Sequence, residues 1–193
     1  MFRRSTIFAF LACGCALSAC ANSEITGPIP SVSGTTTLNA AQTWQYFSLE
    51  DGAPVALASA ANTSFEWDLG IFATTVALNG GAAGPGGITG HCLCQNASAT
   101  PTDILAMTPA SEAAEYDAVT LSDVPAASEF ASDVFAQKPW YRYNIAGDNR
   151  ISPMFHVYLI KRGDAYYKLQ LTGYYSATNA PRHITFRFQR LTQ

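Results

Sequence analysis

The sequence predicts a single all-β domain, mainly antiparallel, with a few short helices in its middle region and a lipoprotein signal in front of it. Two stretches near the C-terminus support this fold class. Residues 154–175 contain two runs of β-branched and aromatic residues around the turn sequence RGD at 162–164, which is typical of a β-hairpin. Residues 183–190 alternate between apolar and polar positions, as a strand with one buried face does. The apolar positions of this alternation are Ile184, Phe186 and Phe188.

The rest of the chain adds shorter strands and a region of different composition. Two Ala-rich stretches, residues 100–119 and 121–135, have Thr, Ser and Asp at plausible N-cap positions, and this pattern predicts short helices. A bend is predicted near Ala73, inside an earlier strand run. The earlier runs that predict strands are residues 43–50, 54–59 and 65–79.

The N-terminus has the layout of a secretory signal. Two arginines precede an uncharged apolar run from Ile7 to Ala19, which is too short to span a bilayer, where roughly 20 apolar residues are needed. Residues 17–20 (LSAC) resemble a bacterial lipobox, which implies that the signal, residues 1–19, is removed and that Cys20 carries the lipid. No acidic residue follows to retain the protein at the inner membrane, so we expect an outer-membrane anchor. The alternative is an ordinary cleaved signal.

A tether and one domain are predicted after the signal. Residues 20–42 are rich in Ser, Thr, Pro and Gly and have no apolar periodicity, which is typical of a flexible tether. The domain is then predicted to cover residues 43–193, a length that suits one hydrophobic core. No later stretch is apolar enough to predict a membrane crossing.

Acidic and basic residues are segregated along the chain. Residues 20–137 contain twelve Asp or Glu and no Lys or Arg, whereas residues 138–193 contain nine Lys or Arg and two Asp. Separate domains with such charges would repel themselves, so we expect one domain in which opposite charges face each other across strands. An anionic ligand would have to find its cations in the C-terminal part, and the overall acidity argues against nucleic acid as a partner.

The order of several sequence blocks is informative. The blocks are FEWDL (65–69), LNGG (78–81), GPGG (84–87), WYRY (140–143), VYLIK (157–161), YKLQL (167–171) and ITFR (184–187). Behind a lipobox, this series resembles the HmuY family of haem-binding surface lipoproteins, over about residues 44–190. The resemblance implies a mostly antiparallel β fold and a protein that captures haem at the cell surface and passes it to a TonB-dependent outer-membrane receptor. Separately, we expect the protein to be a monomer.

The family's iron ligands do not carry over to the same positions. In its best-known members, two His or Met side chains hold the haem iron. One such position falls just after the WYRY block, where this chain has Asn144 and Ile145, and the other falls in the middle region, where Met107 is the candidate. Either the ligands have moved, or this member does not bind haem as its relatives do. Arg142 and Arg150 flank the same block and are the first candidates for the haem propionates.

Further iron ligands are predicted from chemistry, because haem iron accepts His nitrogen and Met sulfur. Met154 and His156 are two residues apart in a predicted strand, so both side chains should project to one face. Met107 and His91 complete the candidates. The alternative for Met154 and Met107 is ordinary core packing, and for His156 it is a solvated or hydrogen-bonded strand position.

The stretch GHCLCQN at 90–96 holds two cysteines beside a histidine. Its spacing does not match the Cys-x-x-Cys of zinc ribbons, thioredoxins or c-type haem attachment. His91, Cys92 and Cys94 could hold copper or zinc if a fourth ligand came from elsewhere. In an oxidising envelope neighbouring thiols pair, so a Cys92–Cys94 disulfide that staples a mobile, glycine-rich loop is favoured over a metal site, with free thiols as the third possibility.

Enzymatic activity is not predicted. The sequence lacks a Gly-x-Ser-x-Gly elbow, a His-Glu-x-x-His motif and the Lys-Ser/Thr of a phosphate-binding loop. The rival to haem binding is an accessory surface lipoprotein that docks on a TonB-dependent receptor without haem, and binds another ligand or a metal instead.

Overall fold

The computed structural model describes residues 32–193, in which the strands form three antiparallel sheets. The helical elements of this part are short and lie between residues 61 and 137. The α-helices are α1 (Pro101–Ala106), α2 (Ala113–Ala118) and α3 (Val134–Gln137), and three further turns are 3₁₀-helical (Ala61–Thr63, Leu121–Asp123, Ala127–Glu129). The strands are β1 (Ser33–Asn39), β2 (Gln45–Ser48), β3 (Ala53–Val55), β4 (Leu69–Phe72), β5 (Thr75–Leu78), β6 (Thr89–Cys92), β7 (Tyr141–Tyr143), β8 (Ile151–Pro153), β9 (Val157–Arg162), β10 (Ala165–Tyr175) and β11 (Pro181–Arg190).

The largest sheet has the strand order β1-β11-β10-β9-β6, a second sheet has the order β3-β2-β4-β5, and β7 pairs with β8 alone. Every strand pair is antiparallel. The mainly antiparallel β fold with few short helices, predicted from the sequence, is therefore confirmed. The hairpin of β9 and β10 turns at residues 163–164, as the RGD sequence predicts.

The main core lies between the two larger sheets. Phe186 and Phe188, on the predicted apolar face of β11, pack edge-to-face against Phe47 of β2, with ring centroids 5.1 Å apart in both pairs. Their burial drives the association of the sheets, because burying a large apolar side chain is worth about 1.5–3 kcal/mol. The sequence alternation along β11 thus determines which face of the large sheet meets the small one.

The opposite face of the large sheet is covered by the helical middle region. Tyr116 and Val119 pack there against Val157 and Leu159 of β9, so β9 is buried on both faces. Lys168 of β10 is also buried, and its Nζ donates to three carbonyl oxygens at the end of α2 at 2.9–3.2 Å. A cation near the C-terminus of a helix satisfies carbonyls that lack a helical partner.

The predicted tether is wrong in its second half. Residues 33–39 form β1 and pair in full register with β11, from Ser33 opposite Gln189 to Asn39 opposite His183. The Ser/Thr-rich composition hid a strand in which Leu38 is the buried residue and Thr36 is half-buried. The domain therefore begins before residue 43. The signal, Cys20 and the first part of the tether lie outside the described residues.

The glycine-rich segment after β5 is a tight turn around a buried side chain rather than the mobile loop expected from its composition. Asn79 is fully buried, and its Nδ2 donates to the carbonyls of Ser64 (2.9 Å) and Trp67 (2.7 Å). Its Oδ1 accepts a hydrogen bond from the Gly86 N–H at 3.0 Å. A Cβ at Gly84 would overlap with this same Oδ1. The glycines are there because the chain wraps closely around Asn79.

Opposite charges of the two halves do meet, at one cluster. Arg162 of β9 pairs with Glu50 and with the buried carboxylate of Asp68, and these are the salt bridges within residues 32–193.

The run predicted to bend near Ala73 is a tight hairpin, in which Ala73 has a left-handed φ of 52° between β4 and β5. None of the helices in the described range has the length and apolarity that a membrane crossing requires.

Candidate functional site

A cavity of about 350 Å³ opens at one end of the large sheet. Three segments enclose it: the chain after β6, the link from α3 to β7, and the link from β8 to β9. We call it the His156 cavity. Its lining residues are Cys94, Ala97, Gln137, Lys138, Pro139, Tyr141, Arg142, Met154 and His156.

The floor and the rim of this cavity differ in character. Met154 and His156 form the floor and are 2% and 5% exposed. Ala97, Lys138 and Arg142 are exposed at the rim. A buried floor with few polar atoms below a polar rim is the usual composition of a small-molecule site, and the volume falls within the typical range of roughly 300–1,000 Å³.

The floor residues are held by hydrogen bonds from distant parts of the chain. They do not lie in a strand, as predicted, but in the link between β8 and β9, where Phe155 has a left-handed φ of 51°. The Met154 N–H donates to the Trp140 carbonyl at 2.8 Å, and the Met154 carbonyl accepts from Asn96 Nδ2 at 3.0 Å. Gln170 Nε2 donates to the Phe155 carbonyl at 2.6 Å. Strained backbone of this kind persists only where its surroundings fix it.

His156 has the properties of a metal-binding imidazole. Its Nδ1 is buried and has no hydrogen-bond partner among the described residues. Burial, with a smaller contribution from the positive charges of Arg142 and Lys138, lowers the pKa of His156 to about 4. The imidazole is therefore neutral at physiological pH, which is the form that ligates metals.

This lowered pKa predicts a loss of stability in mild acid. In the unfolded chain a histidine has a pKa of about 6.5, so between roughly pH 6.5 and 4 the unfolded state binds a proton that the folded state excludes. The contribution of neutral, buried His156 to the free energy of unfolding is intact at pH 7 and decreases as the pH falls toward 4. We expect urea unfolding to show a decrease of about 2 kcal/mol between pH 7 and 4.5 that the His156→Gln variant lacks. Equal pH dependence in the two proteins would contradict a depressed His156 pKa.

The rim carries two cations that could meet an anionic ligand. Neither Lys138 nor Arg142 forms a salt bridge within the described part of the chain. The backbone at Lys138 is fixed, because its carbonyl accepts a hydrogen bond from the Tyr158 hydroxyl at 2.8 Å. Lys138 was not among the residues predicted for the site. Its position as the first cation after the long acidic half was the available sequence signal.

The other predicted haem contacts lie elsewhere. Met107 and Arg150 line a second cavity of about 300 Å³, the Met107 cavity, with Phe155 and Tyr174. Arg150 is already engaged there, since its guanidinium donates to Asn179 Oδ1 at 2.8 Å and stacks 4.0 Å from the Tyr175 ring centroid. Neighbouring residues from Pro153 to His156 thus face different cavities: Pro153 and Phe155 line the Met107 cavity, Met154 and His156 the His156 cavity. Of the predicted residues, the structure brings together Met154, His156 and Arg142, and separates them from Met107 and Arg150.

The cysteine stretch begins as the end of a strand, up to Cys92, and continues as a turn. β6 pairs with β9, and Cys92 lies opposite Tyr158. Beyond β6 the Leu93 N–H still donates to the Val157 carbonyl at 3.0 Å. Cys94 follows with a left-handed φ of 51° and lines the same cavity as His156. Cys92 and Cys94 are joined by a disulfide, the pairing favoured from the sequence.

The predicted metal set of His91, Cys92 and Cys94 is wrong in one member. Adjacent residues of a strand project to opposite faces, so His91 turns away from the cysteines. Its Nδ1 lies 3.2 Å from the Glu129 carbonyl, and its ring lies 5.9 Å from that of Phe130. His91 lines neither cavity. The histidine that does lie close to both sulfurs is His156, whose potential ligand atom and both Sγ atoms lie within 4.8 Å of one another. Only the strand register reveals this proximity.

Comparisons with known proteins agree with this architecture. A model of the HmuY family, described as HmuY protein, matches residues 40–188. The solved apo structure of the HmuY analogue TFO from Tannerella forsythia superposes with a TM-score of 0.55 at 14% identity, covering 86% of this chain and 99% of that chain, and shows a shared fold. A candidate lipoprotein from Bacteroides fragilis gives a TM-score of 0.48 at 19% identity, with coverages of 81% and 88%. A candidate HmuY-like haem-binding protein from Bacteroides vulgatus gives a TM-score of 0.47 at 14% identity, covering 81% of this chain and 90% of that chain. No curated protein matches significantly.

Proposed function

The chain belongs to the HmuY family, and from that premise we propose that it binds haem in the His156 cavity and passes it to a TonB-dependent receptor of the outer membrane. The observation that carries the proposal is the buried imidazole of His156, unpartnered at Nδ1, beside Met154 and below a rim with two cations. Haem is an apolar plate with two carboxylates at one edge, so it needs an apolar slot, iron ligands inside and cations at the mouth.

The donor set of the cavity fits haem. His156 would supply a neutral imidazole nitrogen to the iron. Met154, beside it on the same floor, would pack against the same side of the ring. The two residues lie on the floor, where almost none of their surface is exposed to solvent. When bound, haem supplies the iron and the flat apolar surface, and the chain supplies the ligands and the enclosure.

The rim cations fit the propionates. Lys138 and Arg142 are exposed next to the buried floor and have no competing carboxylate in the described range. Charge-assisted hydrogen bonds to carboxylates are among the stronger ones, and Arg can form two in parallel. Lys138 therefore replaces Arg150, whose guanidinium is engaged at the Met107 cavity, as the partner of Arg142.

The place of the protein in the cell is proposed from the N-terminal sequence and the family. Lipidation of Cys20 would anchor the domain in the outer membrane of the bacterial envelope through two or three acyl chains, enough for stable attachment. The family's role implies capture of haem and its transfer to the receptor, and a binding protein rather than an enzyme.

The test is haemin titration of the protein from residue 21 onward, followed by Soret absorbance. We expect a saturable shift at one haemin per chain. Ala97→Trp should block it, because an indole at this exposed rim position fills the mouth without disturbing the core. Thr108→Trp, which fills the rim of the Met107 cavity, is the matched control and should bind as wild type does.

Two results would contradict the proposal. Absence of a saturable shift under oxidising and reducing conditions would exclude haem binding and leave the accessory lipoprotein that carries no haem. A block by Thr108→Trp but not by Ala97→Trp would show that haem binds at the Met107 cavity instead.

A further inference from the structure

Three potential metal-ligand atoms meet next to the His156 cavity, which Cys94 and His156 line. The sulfurs of Cys92 and Cys94 and one ring nitrogen of His156 all lie within 4.8 Å of one another. We propose that reduction of the Cys92–Cys94 disulfide turns this cluster into a binding site for one thiophilic d¹⁰ cation, Zn(II) or Cu(I). This site does not require haem, but it uses the same His156 imidazole, so the cation would bind to the haem-free protein.

The distances suit such a cation. Zn–S bonds of about 2.3 Å and Zn–N bonds of about 2.0 Å place the ligand atoms of a tetrahedral site roughly 3.5–3.8 Å apart. The Cα atoms of the two cysteines are 5.0 Å apart, so the reduced thiols can reach these separations by side-chain rotation. A set of two thiolates and one imidazole also selects zinc and monovalent copper over harder cations, which prefer oxygen ligands.

The unpartnered imidazole is an independent sign of a ligand at this place. His156 is 5% exposed, and its Nδ1 has no hydrogen-bond partner in residues 32–193. A buried polar atom without a partner costs about 1–3 kcal/mol. A cation that binds through Nδ1 would remove this penalty, because a metal–nitrogen bond would replace the missing hydrogen bond. A cation that binds through Nε2 would leave the penalty in place.

The backbone around the cluster is fixed by cross-strand hydrogen bonds. The Leu93 N–H donates to the Val157 carbonyl at 3.0 Å. In return, the Val157 N–H donates to Oε1 of Gln95 at 3.1 Å. These bonds hold the residues between and beside the cysteines against the residue that follows His156. None of them depends on the disulfide, so the three ligands should stay together after its reduction.

The site forms in two balanced steps. A dithiol reductant transfers two electrons and two protons to the S–S bond and leaves as a cyclic disulfide, which gives two thiols. The cation then displaces both thiol protons into solvent as the two metal–sulfur bonds form. The complex of Zn(II) with the two thiolates carries no net charge.

The test is metal titration under anaerobic conditions with a phosphine reductant. We expect the reduced protein to bind one Zn(II) per chain, and Co(II) to give the visible bands of a tetrahedral thiolate site. A parallel titration with Cu(I) against a chromophoric chelator identifies which cation is held more tightly. The disulfide form should bind neither. His156→Ala should weaken binding at least about tenfold, whereas His91→Ala, next to Cys92 but on the other face, should not.

Three results would overturn the inference. The first is absence of stoichiometric binding of both cations to the reduced wild-type protein. The second is an equal effect, or no effect, of His156→Ala and His91→Ala, which would place the imidazole ligand elsewhere. The third is collapse of the near-UV circular dichroism spectrum on reduction alone, because the site is inferred to be held by the fold and not by the disulfide.

Discussion

Replacing His156 by Ala is expected to lower the affinity for haemin by at least about 100-fold. Loss of a residue that only supports a metal ligand costs 10–100-fold in metal affinity, and His156 is proposed to contact the iron itself. The imidazole is also the one ionisable group on the cavity floor that is held neutral, through its pKa of about 4. The measurement is haemin titration by Soret absorbance at pH 7, with near-UV circular dichroism to verify the fold.

Matched histidine and methionine variants separate the His156 cavity from other ligand sites. Met154→Ala should change the spectrum of the bound haem, whereas Met107→Ala and His91→Ala should keep the wild-type affinity and spectrum. Added imidazole should restore part of the Soret shift to His156→Ala, because it can enter the space left by the side chain. Wild-type binding by His156→Ala would show that another residue ligates the iron.

Replacing Arg162 by Met is expected to lower the free energy of unfolding by about 3 kcal/mol. Arg162 Nε donates to Asp68 Oδ1 at 2.9 Å, and Asp68 is 2% exposed. Its other oxygen accepts from the Leu49 N–H at 2.7 Å. Removing one partner of a buried pair leaves an uncompensated charge, and this typically costs 3–5 kcal/mol. Partial exposure of Arg162 places the estimate at the lower end. Urea unfolding at pH 7 measures it.

The second carboxylate on the same guanidinium is the control. Glu50 also pairs with Arg162, but its side chain is 53% exposed, and exposed pairs contribute about 0–1 kcal/mol. Glu50→Gln should therefore lower the free energy of unfolding by no more than about 1 kcal/mol.

The Arg162→Met deficit should also shrink in acid. Burial already raises the pKa of Asp68 despite the opposing effect of Arg162. Without the arginine this pKa rises further, so the folded variant takes up a proton as the pH falls and regains stability. Equal losses in Glu50→Gln and Arg162→Met, or a deficit that does not depend on pH, would contradict this account.

The strands that the sequence predicts well are those in which one physical signal dominates. In β11 the apolar residues alternate, and in β9 and β10 β-branched and aromatic residues flank a glycine turn. β1 was missed because its sequence, SGTTTLN, buries only Leu38. β6 was missed because its glycine and neighbouring glycines indicate a loop, while its strand state depends on pairing with β9.

The candidate site shows the same limit at the level of single residues. Met154 and His156 were found because haem chemistry selects their side chains, although the backbone between them is left-handed and not extended. Lys138 was missed because its position as the first cation after the acidic half does not by itself distinguish it, as a ligand-binding residue, from the other eight cations of the C-terminal part. The proximity of His156 to the cysteines depends on pairing between distant strands, which local patterns cannot reveal.

The register between β6 and β9 restricts how this protein can change during evolution. A single inserted or deleted residue in β6 would turn each side chain to the opposite face of the sheet. His91 would then point toward the His156 cavity, while Cys92 would point toward Phe130. A change of two residues would keep the facing pattern. Descendants of this chain that retain the cavity should therefore differ in length along this edge by even numbers of residues.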